Sequence, residues 1–169
     1  MSDGPGGGRG KWSRPGVPKR GWICVGYRDL GSPKQVCEMC ESQEIRYVHR
    51  MEHPQYSEVL ECGRICSGHL EENRGAAERR EVILKNVAAR RSRWLDRQWT
   101  TSSNGNPMIR TNGFMVTVFR RRQYFRVSAY DAVADDTRFP RESFEHEDEA
   151  KLAGFDAMMV LLARRESGK

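Results

Sequence analysis

Two closely spaced pairs of cysteines in an otherwise polar stretch constrain this chain more than any other sequence feature. Cys37 and Cys40 are separated by two residues, and Cys62 and Cys66 follow after 21 intervening residues. Two thiolates at this spacing can face one ion from a tight turn, and two such pairs complete a tetrahedral sulfur site. The spacing therefore predicts one zinc ion bound by Cys37, Cys40, Cys62 and Cys66.

The predicted role of this zinc ion is structural. Four thiolates leave no coordination position open to a substrate, so we expect metal binding to contribute to folding and not to chemistry. His69 lies three residues after Cys66 and is an alternative ligand that can replace Cys62 or Cys66. Cys24 has no nearby partner, and we expect a packed thiol there.

The composition favours a small folded protein in a reducing compartment. The 169 residues, of which 37% are hydrophobic and 31% charged, suffice for one compact domain or two small units whose core is assisted by a metal. No run of about 18 apolar residues is present, and the first residues lack the apolar core of a secretory signal. We therefore expect a cytoplasmic protein without membrane insertion.

Changes in composition divide the chain into three predicted parts. Residues 1–20 carry the run Gly6-Gly7-Gly8 and several prolines, which predicts a disordered basic tail. Residues 21–75 form the predicted zinc-binding unit, in which residues 45–48 and 59–60 indicate the two strands of a hairpin. Residues 76–169 complete the chain.

The pattern of the third part predicts a helix, an antiparallel β-meander and a C-terminal helix. Helical composition extends from about Ser67 to Trp99, with an interruption at residues 73–75. Tight-turn signals at residues 104–105 and 112–113 precede two apolar strands at residues 114–119 and 124–127. Acidic residues before an apolar stripe indicate the last helix, up to about residue 165. The fold class expected for the whole chain is α+β.

The order of a cysteine turn, two strands, a second cysteine pair and a helix resembles the treble-clef and zinc-ribbon families over roughly residues 35–75. The chain is also similar to small bacterial zinc-finger proteins through Gly21-Trp22, Cys37-Glu38-Met39-Cys40 and Ile45-Arg46-Tyr47-Val48-His49. These resemblances imply a zinc-finger fold and bring no activity with them.

His49 and His53, four residues apart beside the cysteine pairs, resemble the hairpin of HNH nucleases that carry an accessory zinc ion. That resemblance implies His49 or His53 as the base that activates water, with His69 and Glu52 as ligands of a catalytic metal ion. The alternative interpretation is that these histidines cap or pack the hairpin.

Arginine dominates the middle of the chain. Residues 79–98 carry seven basic and two acidic side chains, and residues 99–130 carry five basic and none acidic. Arginine suits bidentate contacts to phosphate, and the interleaved aromatic residues can stack on bases. The nucleic-acid contacts predicted from this pattern are Arg90, Arg91, Arg93, Arg97, Arg120, Arg121, Arg122 and Arg126.

The order helix, three strands, helix over residues 76–165 resembles a double-stranded-RNA-binding domain, and Ala150-Lys151 with Ala153 is similar to its second helix. In that family lysines at the start of this helix approach phosphates, whereas this chain has Glu147-Asp148-Glu149 there. We therefore expect the hairpin around Arg120 and the middle helix to contact nucleic acid instead.

Together these patterns predict a zinc-stabilised nucleic-acid-binding protein, DNA-binding or RNA-binding, that acts as an accessory or regulatory subunit and not as an enzyme. Its expected partners are nucleic acid and a larger protein or ribonucleoprotein complex. One alternative is a protein–protein adaptor whose arginine faces dock an acidic partner, since the chain alternates between basic and acidic blocks. The other is an HNH-like metal-dependent nuclease.

Overall fold

The computed structural model describes residues 8–168, which form an α+β protein of three α-helices and several antiparallel sheets. This confirms the predicted fold class, including the C-terminal helix. These residues fall into two compact units, divided between Ala88 and Ala89. The sequence pattern placed the division near residue 75. The later boundary arises because Ala77 is fully buried and Arg80 pairs with Glu71, so this stretch of helix belongs to the first unit.

The first unit is built on antiparallel strands followed by helices. The elements are β1 (Ile23–Asp29), β2 (Gln35–Val36), β3 (Glu44–Ile45), β4 (Tyr47–His53), β5 (Tyr56–Cys62), α1 (Arg64–Leu70) and α2 (Arg74–Ser92), the last of which continues past the division. The strands form a three-stranded sheet in the order β1-β4-β5, and β2 pairs with β3 in a separate ribbon. A hairpin is present as predicted and consists of β4 and β5, in which Met51 lies opposite Leu60. Its first strand starts later than the pattern indicated, because Ile45 belongs to β3 and pairs with Gln35.

The predicted disordered tail is wrong for residues 8–20, and residues 1–7 lie outside the described part of the chain. Gly10–Trp12 form a 3-10 turn, and the Lys11 amide donates to the Met39 carbonyl at 2.8 Å. Trp12 and Val17 are buried in the core of the first unit. The glycine-rich and proline-rich composition concealed this packing, because one indole ring contributes a large apolar surface.

Gly10 allows this segment to lie directly against the first cysteine turn. Its φ is +60°, and a Cβ atom at this position would lie 2.6 Å from the carbonyl carbon of Cys40. Both the backbone conformation and the close approach therefore require glycine.

The second unit is one five-stranded sheet and one helix. Its elements are β6 (Thr100–Thr101), β7 (Pro107–Thr111), β8 (Phe114–Arg121), β9 (Tyr124–Asp131), β10 (Asp136–Arg138) and α3 (Glu147–Glu166). The strands are antiparallel neighbours in the order β10-β9-β8-β7-β6. The predicted meander is thus confirmed, and two short edge strands enlarge it.

The helix α3 packs on one side of this sheet through a glycine. A Cβ atom on Gly154 would lie 2.4 Å from Cγ1 of Val116 and 2.9 Å from Cγ2 of Val127. The side chains of Val116 and Val127 therefore point toward α3. Because side chains alternate along a strand, this contact decides which residues of β8 and β9 lie on the opposite side of the sheet.

The middle helix differs from its prediction at both ends. It starts at Arg74 after a break at residues 71–73, where Glu72 has a φ of +55°, and it stops at Ser92 instead of continuing to Trp99. Trp94 follows the helix end and is buried in the second unit, where its Nε1 donates to the Lys151 carbonyl at 2.8 Å. Burial of this large ring outweighs the helical propensity of the surrounding residues.

Candidate metal centre and arginine surface

Three of the predicted ligands come together in the first unit. The sulfur atoms of Cys37, Cys40 and Cys66 all lie within 4.8 Å of one another, and all three residues are buried. A turn after β2 presents Cys37 and Cys40, and α1 presents Cys66. The cluster borders an open cleft of about 370 Å³, which provides an entry path for an ion. This group of thiols can hold a metal ion.

Cys62, the fourth predicted ligand, is the last residue of β5 and is fully buried. It lies outside the group whose sulfur atoms are all within 4.8 Å of one another. It is nevertheless a neighbour of Cys37, because interaction with the Cys62 and Cys66 thiols lowers the pKa of Cys37. The same interaction with Cys37 raises the pKa values of Cys62 and Cys66. Its role as a ligand remains a prediction.

Two hydrogen-bond donors from residues other than cysteine point at the sulfur atoms. The amide of Gly63 donates to Sγ of Cys37 at 3.4 Å, and Nε1 of Trp12 donates to Sγ of Cys66 at 3.5 Å. Both contacts act to lower the pKa of the thiol that accepts them. Such donors stabilise the thiolate form, which is the form that binds a metal.

The structure does not gather the histidines into a metal site. Within residues 8–168, the cluster of Cys37, Cys40 and Cys66 is the one set of three or more potential ligands close enough to share an ion. The ring of His69 lies 6.4 Å from that of Trp12, measured between centroids. His53 lies against Trp22, and its Nδ1 accepts a hydrogen bond from the Gln55 amide.

His49 is a buried structural residue. It is fully buried on β4, and its Nδ1 accepts a hydrogen bond from Nε of Arg80 at 3.1 Å. Arg80 in turn pairs with Glu71. Burial, reinforced by the charge of Arg80, lowers the pKa of His49 to about 4. This neutral, enclosed imidazole is not exposed to a substrate, so the geometry does not support His49 as the base of a nuclease.

In the second unit, three exposed arginines form what we call the helix cluster: Arg90, Arg93 and Arg97. They line a cleft of about 300 Å³ whose floor is Trp94 and Phe155. The guanidinium of Arg90 lies 5.7 Å from the centroid of Phe155, and that of Arg97 lies 5.4 Å from the Trp94 ring. Cation–π contacts therefore hold these charges at the surface over an apolar floor.

A second group lies at the turn between β8 and β9 and comprises the hairpin arginines Arg120, Arg121 and Arg122, all exposed. Arg121 is paired with Tyr124 across the strands, and Arg122 has a φ of +55° in the turn itself. Arg126 is half-buried on β9, and its Nη2 donates to the Pro140 carbonyl at 3.2 Å.

Of the eight predicted arginine contacts, Arg91 alone forms an ion pair with a carboxylate in residues 8–168. Its Nε and Nη2 donate to the Asp156 carboxylate at 2.8 and 2.9 Å, and this pairing raises the pKa of Arg91. Arg93 and Arg126 donate to backbone carbonyls, and Arg97 donates to a threonine hydroxyl. Seven of the eight thus keep a charge that no described carboxylate neutralises.

Sequence reasoning missed one feature of these sites. The donor Trp12 lies in a segment whose composition indicated disorder, so no local pattern pointed to its contact with Cys66. Arg110, a further arginine of the basic segment, is exposed on β7 opposite Met115 of β8.

Comparison with known proteins adds no relative: no protein-family model, no curated protein and no solved structure matches this chain. Separately, within residues 8–168 no helix combines the length and the apolar character that crossing a lipid bilayer demands.

Proposed function

We propose that this chain is a zinc-stabilised nucleic-acid-binding protein with an accessory or regulatory role. The observation that carries the proposal is the number of unpaired arginines in the second unit. Of the eight arginines predicted to contact nucleic acid, only Arg91 has a carboxylate partner among the described residues, namely Asp156. Neighbouring exposed guanidinium groups repel each other, and a polyanion bound across them relieves that repulsion.

Phosphate is the anion that suits these side chains best. A guanidinium offers a planar pair of donors that matches two phosphate oxygens, and it stays charged at every physiological pH. The helix cluster supplies three such groups and the hairpin arginines supply three more. A partner with regularly repeated phosphates, as in DNA or RNA, can satisfy several of them at once.

In this proposal zinc holds the first unit together through Cys37, Cys40, Cys66 and Cys62. Zinc–sulfur bonds of about 2.3 Å place tetrahedral sulfur atoms about 3.8 Å apart, so the distances between sulfurs already within 4.8 Å need to shorten by at most about 1 Å. Cys62 is the favoured fourth ligand because it is fully buried and adjacent to Cys37. The ion would then join the turn after β2, the end of β5 and α1.

The test is a binding titration of fluorescent oligonucleotides, single-stranded and duplex, at several salt concentrations. We expect binding whose affinity falls steeply as salt increases, since phosphate contacts release counterions. Arg93→Gln should weaken binding and reduce the slope of log affinity against log salt by about one. The matched control is the double variant R91Q/D156N, which removes an ion pair that is already neutral and should bind like the parent protein.

Failure to bind either DNA or RNA at low salt would end the proposal. Purification with a bound acidic protein and no nucleic acid would then favour the adaptor function.

A further inference from the structure

The β7-β8-β9 surface opposite α3 is a feature that the sequence pattern alone does not reveal. Gly154 of α3 lies against Val116 and Val127, so the residues that alternate with these two point away from the helix. The strand register then assigns the residues of this surface, which we call the open sheet face. Its principal members are Arg110, Phe119, Arg121, Tyr124, Arg126 and Tyr130.

The charged side chains that β7, β8 and β9 contribute to the open sheet face are all positive. The only acidic residue in β7, β8 and β9 is Asp131, which is fully buried and paired with Arg165 of α3. Arg110, Arg121 and Arg126 have no ion pair with any carboxylate in residues 8–168. A polyanion can therefore lie along β7, β8 and the Tyr124 end of β9 without meeting a negative charge; at the other end of β9 the Asp135 carboxylate accepts a hydrogen bond from the Tyr130 hydroxyl.

Aromatic rings stand directly beside these arginines. Phe119 is paired across the strands with Arg126, and Tyr124 is paired with Arg121. Side chains in such pairs have Cβ atoms about 5 Å apart. Tyr124 is 40% exposed, while Phe119 and Tyr130 are half-buried. None of the three rings is paired with another aromatic ring within residues 8–168.

We propose that the open sheet face binds single-stranded nucleic acid, with bases stacking on Tyr124 and Phe119 while Arg121 and Arg126 contact phosphates. This inference rests on the proposed function and specifies its substrate class. Stacking on a protein ring requires a base whose face is free, which a single strand offers and a continuous duplex does not. A surface that combines rings with unpaired arginines is suited to the unpaired form.

The helix cluster does not supply this selectivity. Its two rings, Trp94 and Phe155, are each 1% exposed and lie beneath guanidinium groups, so neither presents a face to a base. Contacts there reach phosphates alone and add affinity for any nucleic acid. Preference for single strands must therefore come from the sheet.

Two adjacent arginines provide a matched test. Arg120 and Arg121 are both exposed, but Arg120 is paired with Phe125 on the α3 side, whereas Arg121 is on the open sheet face. Affinities for a labelled 12-nucleotide DNA or RNA strand and for the corresponding duplex are compared in Arg120→Gln and Arg121→Gln. We expect Arg121→Gln to weaken single-strand binding about threefold or more while affecting duplex binding less, whereas Arg120→Gln should weaken single-strand and duplex binding to the same extent.

The rings are tested in the same way. Tyr124→Leu should weaken single-strand binding about fivefold or more through lost stacking, while Phe139→Leu, a change at another exposed aromatic residue, should have no effect. All four positions are exposed or half-exposed, and an unchanged thermal melting curve confirms that each variant folds. Comparing the affinities for the DNA and RNA strands shows which of the two nucleic acids the face prefers.

The outcomes separate this inference from the proposed function. Tighter binding of single strands than of duplex, together with weaker single-strand binding by Arg121→Gln and Tyr124→Leu, supports both the inference and the proposed function. Equal or tighter binding of duplex, with equal effects of Arg120→Gln and Arg121→Gln, overturns the inference and leaves the proposed function standing. Absence of any nucleic-acid binding at low salt overturns both.

Discussion

The indole nitrogen of Trp12 donates a hydrogen bond to the sulfur of Cys66, across 54 positions of sequence and a distance of 3.5 Å. This contact makes the N-terminal segment part of the thiol cluster's surroundings. Gly10, two residues earlier, lies against the backbone of Cys40, so the same segment touches both halves of the candidate metal site. The segment therefore contributes to the stability of the first unit and to the state of its thiols.

Replacing Trp12 separates these two contributions. Trp12→Phe keeps most of the apolar ring but removes the donor, and we expect a loss of about 1 kcal/mol in the free energy of unfolding. Trp12→Ala also removes the buried ring and should cost about 3–5 kcal/mol. Urea unfolding followed by circular dichroism measures both values. Equal stability of the three proteins would show that the segment does not pack as described.

Metal analysis tests the proposed zinc ligands. The purified protein should contain one zinc ion per chain, and Cys66→Ser should lose it together with much of its folded structure, because ligand binding and folding are coupled. Cys24→Ser is the matched control, since Cys24 is outside the cluster and should leave zinc content unchanged. His69→Ala should also retain zinc. A Cys66→Ser protein that still holds stoichiometric zinc would instead indicate His69 as a ligand.

The close contact between Gly154 of α3 and the sheet predicts that one added methyl group at this position lowers the stability of the fold. Gly154→Ala places a Cβ atom 2.4 Å from Val116, and we expect a loss of about 1–3 kcal/mol in the free energy of unfolding from overpacking. Gly75→Ala, in α2, meets only the end of the Arg79 side chain within 3.4 Å. That control should be unchanged or slightly more stable, as alanine favours helix. A tolerated Gly154→Ala would contradict the described packing.

The hydrogen bond from the Tyr130 hydroxyl to Asp135, 3.0 Å long, predicts a titration at high pH. It raises the pKa of Tyr130 above its ordinary value of 10.0, since the carboxylate stabilises the protonated hydroxyl. The resulting stabilisation is present below pH 10 and is lost as the pH rises through the raised pKa. In Asp135→Asn the tyrosinate absorbance should appear at lower pH, whereas Asp136→Asn should match the parent protein. Identical titrations of all three proteins would exclude the bond.

Much of the architecture follows from short-range patterns. The two glycine turn signals and the alternation in residues 114–119 and 124–127 predicted the meander, because hairpin geometry depends on neighbouring residues. The acidic start and apolar stripe of α3 predicted the last helix for the same reason. The cysteine turn brings Cys37 and Cys40 together locally, and Cys66 joins them as the second pair's spacing suggested.

Other features depend on contacts between distant residues. Trp12 packs in the core although its neighbours are typical of disorder, and Trp94 leaves the helical pattern to bury its ring in the second unit. His49 appeared to be a candidate base, but the fold buries it completely, and its Nδ1 accepts a hydrogen bond from Arg80, 31 positions away. No local pattern contains these partners.

The distinction is clearest for Arg91 and Arg93. Sequence alone establishes that both are permanently charged residues of the basic segment, because residue type and charge are local properties. Only the folded chain pairs Arg91 with Asp156, 65 positions away, and leaves Arg93 without a carboxylate. The same holds for Arg120 and Arg121, whose different surroundings depend on the side of the sheet that α3 covers. Whether a charge is free to bind a partner depends on the distances between side chains, which arise only in the tertiary structure.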